Sequence, residues 1–159
     1  MDKIVKLPNE ELRRKSRKVR KLDATIRKLI KTLKETLKEQ RALGVAAPQV
    51  GVPQRVIVVD LALDGSGSEI IALVNPQIVA AEGEAQETEG CLSVPGQSYR
   101  VTRHERVTVR GIDEAGRGME LSADGLLARV MQHEIDHLDG TLIADRGTPI
   151  AKTSLLGDV

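Results

Sequence analysis

Two histidines stand four residues apart near the C-terminal end, in "QHEIDHLDG" (132–140), with Glu134 directly after the first. On a helix, His133 and His137 share one face about one turn apart, so both imidazoles can reach one ion. Glu134 is offset by one position, where a carboxylate can address a water on that ion without ligating it. Two histidines alone make an incomplete site, because a catalytic zinc-type centre takes three protein ligands and leaves one position open. Downstream of the stretch only Asp145 and Asp158 offer themselves, neither within a motif. His104, in "VTRHERV", falls in an alternating pattern that places it on the surface of a strand. The better third ligand is Cys91, in "ETEGCLSVPG". A lone cysteine is often only a small hydrophobe, but Glu89-Gly90 and Pro95-Gly96 bracket this one with turn chemistry unsuited to a plain core strand. A further stretch, "LGVAAPQVG" (43–51), holds Gly44 and Ala46-Ala47, which let backbone approach a ligand closely, and Gln49, an uncharged amide donor. Taken alone, it reads as a tight turn before a strand.

These residues must be positioned by a chain of 159 residues, which suits one domain spanning 1–159. Asp23 can cap a helix in which Ile26, Leu29, Ile30, Leu33 and Leu37 recur at three- and four-residue spacing, ending near Gln40. Before it, "KIVKLPNEELRRKS" reads as a short extended piece, a turn at Pro8 and a brief charged helix. After it, "RVIVVDLAL" reads as a strand, "DGSGS" as a turn, and "EIIALVNPQIV" as a second strand interrupted at Asn75-Pro76. "ERVTVRGIDEAGRGMELSA" is a hairpin, with alternating apolar residues on both sides of a Gly-containing turn. The last helix begins near Asp124 or Gly125 and stops at Gly140. Strands followed by one long helix, with another helix in front, give an α+β class.

Composition excludes some functions. Lys and Arg number 24 against 23 Asp and Glu, a formal charge of +1 that by itself steers toward neither DNA nor membrane. The first 40 residues are nonetheless rich in Lys and Arg; a solvated helix face is the simpler reading, with ribosomal contact as its alternative. A single cysteine excludes an intramolecular disulfide and fits a reducing compartment. No apolar run can cross a bilayer and no secretory pattern starts at Met1, so the expectation is a soluble, cytoplasmic monomer. Phe and Trp are absent and Tyr99 is the one aromatic, so Val, Ile, Leu, Ala and Met must build the core.

Together the three stretches resemble the peptide deformylase family. Its signatures run Gly-hydrophobic-Gly-hydrophobic-Ala-Ala-x-Gln, then Glu-Gly-Cys-Leu-Ser, then Gln-His-Glu-x-Asp-His. Here they read "ALGVAAPQ" (42–49), "EGCLS" (89–93) and "QHEIDH" (132–137), with Ala42 in place of the first glycine. The likeness extends through the leading helix, the "DEAGR" hairpin and the "GLLARVMQHEIDHLDGTLIADR" tail. It implies antiparallel sheets packed around a central C-terminal helix that bears the histidines, plus the N-terminal amphipathic helix. It further implies one divalent metal held by Cys91, His133 and His137 with water as fourth ligand: Fe²⁺, for which Zn²⁺, Ni²⁺ or Co²⁺ substitute.

The implied reaction removes the formyl group from the N-terminal formyl-methionine of newly made polypeptides. Glu134 would be the base, with Gln49 and the Leu92 N–H steadying the developing oxyanion. Gly44, Val45 and Gly90 would bond the substrate backbone; Leu92, Leu126, Val130 and His133 would line the methionine pocket, with Arg129 near its mouth. Glu89 and Arg103 would pair beneath the cysteine loop. Some relatives carry an arginine two residues after the position of Gly96, where this chain has Ser98. Aromatics common in relatives near Pro8 and in the leading helix are also missing, yet no metal ligand is lost. A zinc peptidase would share the histidine helix but leave "EGCLS" unexplained. A non-catalytic relative would be marked by loss of Glu134, Gln49 or Cys91, and all are present.

Overall fold

The computed structural model describes residues 4–150. Helix α1 (Ala24–Gln40) starts where the Asp23 carboxylate accepts the Ile26 N–H at 3.0 Å. It ends at Arg41, which adopts left-handed backbone and donates its N–H to the Leu37 and Lys38 carbonyls. Ile26, Leu29, Ile30, Leu33 and Leu37 are all buried, as their spacing requires.

Strands β1 (Gly44–Ala46), β2 (Val56–Asp60), β3 (Ile70–Glu82), β6 (Arg106–Ile112) and β7 (Gly118–Asp124) form one antiparallel sheet in the order β1-β2-β3-β6-β7. A second sheet has the order β4-β5-β8, from β4 (Ala85–Cys91), β5 (Val94–Arg103) and β8 (Thr148–Ile150). Helix α2 (Gly125–Leu138) precedes a helical turn, α3 (Ile143–Arg146).

The sequence "VIVV" in β2 shows how two layers are served by one strand. Side chains alternate across a sheet. Val56 and Val58 pack with α1 through Leu29, Ile30, Leu33 and Leu37. Ile57 and Val59 pack on the opposite side with Ala128, Val130, Met131 and Ile135 of α2. Both faces are covered, so Val56 to Val59 are hydrophobic without a break. Beyond its first turn helix α2 is in turn enclosed: every residue from Ala128 to Leu138 is buried. That enclosure buries the histidine-bearing segment. Among the described residues, no helix is long and apolar enough to cross a membrane.

The expected helices, the β6–β7 hairpin and the α+β arrangement are found. Three local expectations are corrected. Strand β3 is not broken at Asn75-Pro76 but bulges there, with a register shift between Val74 and Gln77. Asn75 takes positive φ (53°), and its side chain bonds the Val19 N–H and C=O at 2.8 and 2.9 Å, tying the bulge to the segment before α1. The turn-rich segment after α1 contains a true strand, β1, paired in register from Gly44↔Val59 to Ala46↔Ile57. The bracketed cysteine lies at the end of a strand, since Cys91 closes β4 and pairs with Val94 across a turn at Leu92-Ser93. His104 is exposed as expected but occupies the connection between β5 and β6.

Candidate metal centre and active site

The 3.6-residue period of α2 stacks His133 and His137, and their Nε2 atoms lie 3.2 Å apart. The end of β4 brings Cys91 Sγ to 3.4 Å from His137 Nε2. One ligand atom from each of the three residues falls within 4.8 Å of the others, and all three residues are buried. One thiolate and two imidazoles form a borderline-soft donor set suited to a transition-metal ion, and three protein donors leave the fourth position of a tetrahedral centre to an exogenous ligand. Burial, then repulsion from His133 and Arg103, pushes the His137 pKa well below 6.5, which favours the neutral form a metal requires.

Beneath the ligands lies a buried charged network. His133 Nδ1 meets Glu89 Oε1 at 2.9 Å, leaving Nε2 toward the cluster. Arg103 grips Glu89 with two bonds, Nε–Oε2 at 2.6 Å and Nη2–Oε1 at 2.9 Å. Arg129 adds Nη1–Oε2 at 2.5 Å and also bonds the Val101 and Ala85 carbonyls. From Arg103 the network continues to Asp136 at 2.8 Å, and Arg146 clamps Asp136 with two further bonds. Burial opposes charge on Glu89, but His133 and Arg103 outweigh it and hold the carboxyl well below 4.5.

Glu134 has the opposite environment. It is completely buried, and neither carboxylate oxygen has a hydrogen-bond partner in the described structure. Burial raises its pKa well above 4.5, with Arg103 opposing and Glu89 and Asp136 reinforcing the shift. A buried carboxyl without partners is costly unless it serves something that binds beside it. Gly44 explains how β1 lies against it: a Cβ there would sit 2.8 Å from Glu134 Cγ and Oε2. Gln49, also fully buried, accepts the Ala46 N–H through Oε1 at 3.0 Å. That bond turns its amide nitrogen toward Ser93 Oγ, at 3.2 Å, and Cys91 Sγ, at 3.7 Å.

Three groups on three different elements therefore converge: the β1–Gln49 segment, the β4–β5 turn and α2. The sequence model of the polypeptide deformylase family matches residues 1–153. The chain belongs to this family. A peptide deformylase of Thermodesulfovibrio yellowstonii is 45% identical over 149 residues, covering 94% of the chain and 90% of that protein. One from Symbiobacterium thermophilum is 49% identical over 155 residues, covering 98% of the chain and 70% of that protein. The crystal structure of a Legionella pneumophila peptide deformylase superposes with a TM-score of 0.87 at 43% identity, covering 92% of the chain and 85% of that one.

For a deformylase-family site, the remaining sequence candidates fall in distinct places. Val45 and Gly90 are buried on β1 and β4, and Leu92 is half-buried in the β4–β5 turn. Leu126 and Arg129 line a depression at the N-terminal end of α2 together with Ala85 and Glu87. Arg129 nevertheless directs its guanidinium inward to Glu89, and Val130 packs in the core with Ile57 and Val59. Sequence reasoning passed over Asp136, Arg146 and Ser93. Asp136 had a usable signal, an acid three residues after a ligand histidine on a helix with no exposed side; Arg146 had none.

Proposed function

We propose that the chain is a metal-dependent peptide deformylase, hydrolysing the formyl group from N-terminal formyl-methionine of nascent polypeptides and releasing formate. The observation that carries this reading is the unpartnered Glu134 carboxylate beside the Cys91–His133–His137 donor cluster. Those three residues would hold one divalent ion, Fe²⁺ by family resemblance, with Zn²⁺, Ni²⁺ or Co²⁺ as substitutes. When bound, the ion supplies Lewis acidity and lowers the pKa of water toward neutrality.

The chain's own groups do the rest. Glu134 takes the proton from the attacking water and returns it to the departing amine. As charge develops on the formyl oxygen, the Gln49 amide and the Leu92 N–H donate to it, each worth about 2.7–4 kcal/mol by analogy with other oxyanion donors. The bond from Ala46 to Gln49 Oε1 pre-orients that amide, so little reorganisation is needed.

Substrate alignment has a structural basis in two strand ends. β1 is the edge of the larger sheet and β4 the edge of the smaller one. Gly44, Val45 and Gly90 lie on those edges, which supports binding of the peptide as an added strand. Leu92 and Leu126, both half-buried, remain the candidates to meet a methionine side chain, while Val130 and Arg129 would act from behind, as core packing and as a partner of Glu89.

The test is selectivity. Formyl-Met-Ala should release formate rapidly, acetyl-Met-Ala should react little because a methyl replaces hydrogen on the carbonyl carbon, and longer unformylated peptides should stay whole. Internal cleavage with formyl-Met-Ala left intact would make the chain a peptidase instead.

A further inference from the structure

We infer that residues 5–17 form a backbone strap that positions the two oxyanion donors, with the Val5 N–H setting the place of Gln49. This inference rests on the deformylase reading and adds to it a group that never meets substrate. The site is assembled from the β1–Gln49 segment beside the larger sheet, the β4–β5 turn of the smaller sheet, and α2. Backbone of the same N-terminal stretch meets all three. The Val5 N–H donates to the Gln49 carbonyl at 2.7 Å, and the Leu7 N–H to the Ser93 carbonyl at 2.9 Å. The Ser16 N–H donates to the carbonyl of Leu138, the residue after His137, at 2.7 Å.

Between and beyond these contacts the strap is itself fixed. Leu12 is completely buried, and the Asn9 side chain accepts the Glu11 N–H at 2.9 Å to start the short helical turn Glu10–Arg13. At the end of α2 the approach is close: a Cβ on Gly140 would stand 2.3 Å from the Arg13 carbonyl oxygen. The Arg55 guanidinium then bonds the Ser16 and Leu138 carbonyls at 3.3 and 2.9 Å, and the Arg17 N–H donates to the Pro53 carbonyl at 2.9 Å.

An oxyanion hole is effective when its donors stand in place before the charge develops. Here the two donors, the Gln49 amide and the Leu92 N–H, come from segments of different sheets. Their direct tie runs through the Gln49 amide, which donates to Ser93 Oγ at 3.2 Å. That amide is the group the oxyanion must take over, so this tie is released when it is most needed. The strap bonds main-chain carbonyls instead, those of Gln49 and Ser93, and they need not change during the reaction. Val5 and Leu7, two residues apart, therefore keep the donors spaced while the side chain turns to substrate. An effect confined to the transition state appears in kcat.

The experiment compares the metal-loaded full chain with Val5→Pro, which deletes the N–H, and Val5→Ala, which keeps it, each also combined with Gln49→Ala. With formyl-Met-Ala, Val5→Pro should lower kcat by about 10- to 100-fold while its metal content stays full. Its KM should stay within about twofold of wild type, and Val5→Ala should keep most of the rate that Val5→Pro loses. On the Gln49→Ala background, Val5→Pro should cost no more than about twofold, because the amide it places is gone. A merely structural role would repeat the full loss on both backgrounds. If Val5→Pro loses metal or does not fold, the backbone ester made with the α-hydroxy analogue of valine at position 5 is held to the same outcomes, since it removes the N–H and keeps the side chain. Wild-type kcat without the Val5 N–H, or an equal loss with and without the Gln49 amide, would overturn the strap and leave the deformylase reading standing. An unsubstituted chain that releases no formate from formyl-Met-Ala would overturn both.

Discussion

His133 Nδ1 lies 2.9 Å from Glu89 Oε1, and through that contact the metal-binding histidine is anchored to a buried charge network reaching Arg146 near the protein surface. Glu89 itself has no exposure, and Arg103 and Arg129 both bond it. Such a carboxylate fixes the imidazole's tautomer and aim before any ligand arrives.

Replacing Glu89 by Gln should therefore act twice. Metal affinity should fall about 10–100-fold as His133 loses its orienting acceptor. Stability should fall by about 3–5 kcal/mol, because buried Arg129 loses its carboxylate partner and Arg103 keeps only Asp136. Asp136→Asn offers a gentler probe, since Asp136 touches Glu89 only by way of Arg103; it should weaken metal retention while keeping the fold. Chelator competition and urea unfolding report the two effects separately, and wild-type values in both assays for Glu89→Gln would remove the network from the account.

Cys91→Ala should lose bound metal almost completely. A three-ligand centre becomes a two-ligand one, and no other His, Cys or acidic residue of the described structure joins His133 and His137 in a metal-competent group. Elemental analysis of the purified variant decides this; undiminished metal would mean that another residue completes the site.

How far the sequence foretold this centre depends on whether local periodicity fixes geometry. For His133 and His137 it does, because a helix places residues four apart on one face whatever surrounds it. For Cys91 it does not. Gly90, Pro95 and Gly96 advertise turns, yet the strands run through them, and the real turn at Leu92-Ser93 carries neither Gly nor Asn to announce it. Asn75-Pro76 misled for a related reason: a proline without an N–H fits where the register slips, and the Asn75 bonds to Val19 come from a distant part of the chain. The Arg146–Asp136 clamp was hidden because ion-pair partners across a fold leave no spacing rule. Val130 fits an α2 position by pattern alone, which does not say whether its side chain lines a pocket or fills the core.

Gly44→Ala tests how closely β1 must approach the base. The added Cβ would stand 2.8 Å from Glu134 Cγ and Oε2 and 3.0 Å from Cδ, so the fully buried glutamate would have to shift. Overpacking of this kind costs about 1–3 kcal/mol, equivalent to roughly 5- to 150-fold if expressed in turnover. The metal ligands are untouched, so kcat should drop while metal content stays full. Wild-type kcat in this variant would show that the β1 backbone has slack.

Glu134→Gln separates function from stability at a single atom. Turnover should collapse by orders of magnitude with metal retained, because the amide cannot accept the water's proton. In chelator-treated protein the same change should stabilise the fold, and the pH dependence gives the sign. Burial raises the folded-state pKa of Glu134 well above 4.5, so between those values the folded chain holds a proton that the unfolded chain has released. The contribution of the protonated carboxyl is fully present below the unfolded value and is lost as pH rises toward the folded one, where burying the anion becomes the penalty. The substituted amide cannot ionise and escapes that loss. The Tm difference between variant and wild type should accordingly be small near about pH 4 and widen in favour of the variant toward about pH 8. Taking the difference removes contributions that both proteins share, such as the depressed pKa of His137. A gap that stays flat over this range, or narrows as pH rises, would show that Glu134 is not held as a buried neutral acid in the metal-free protein.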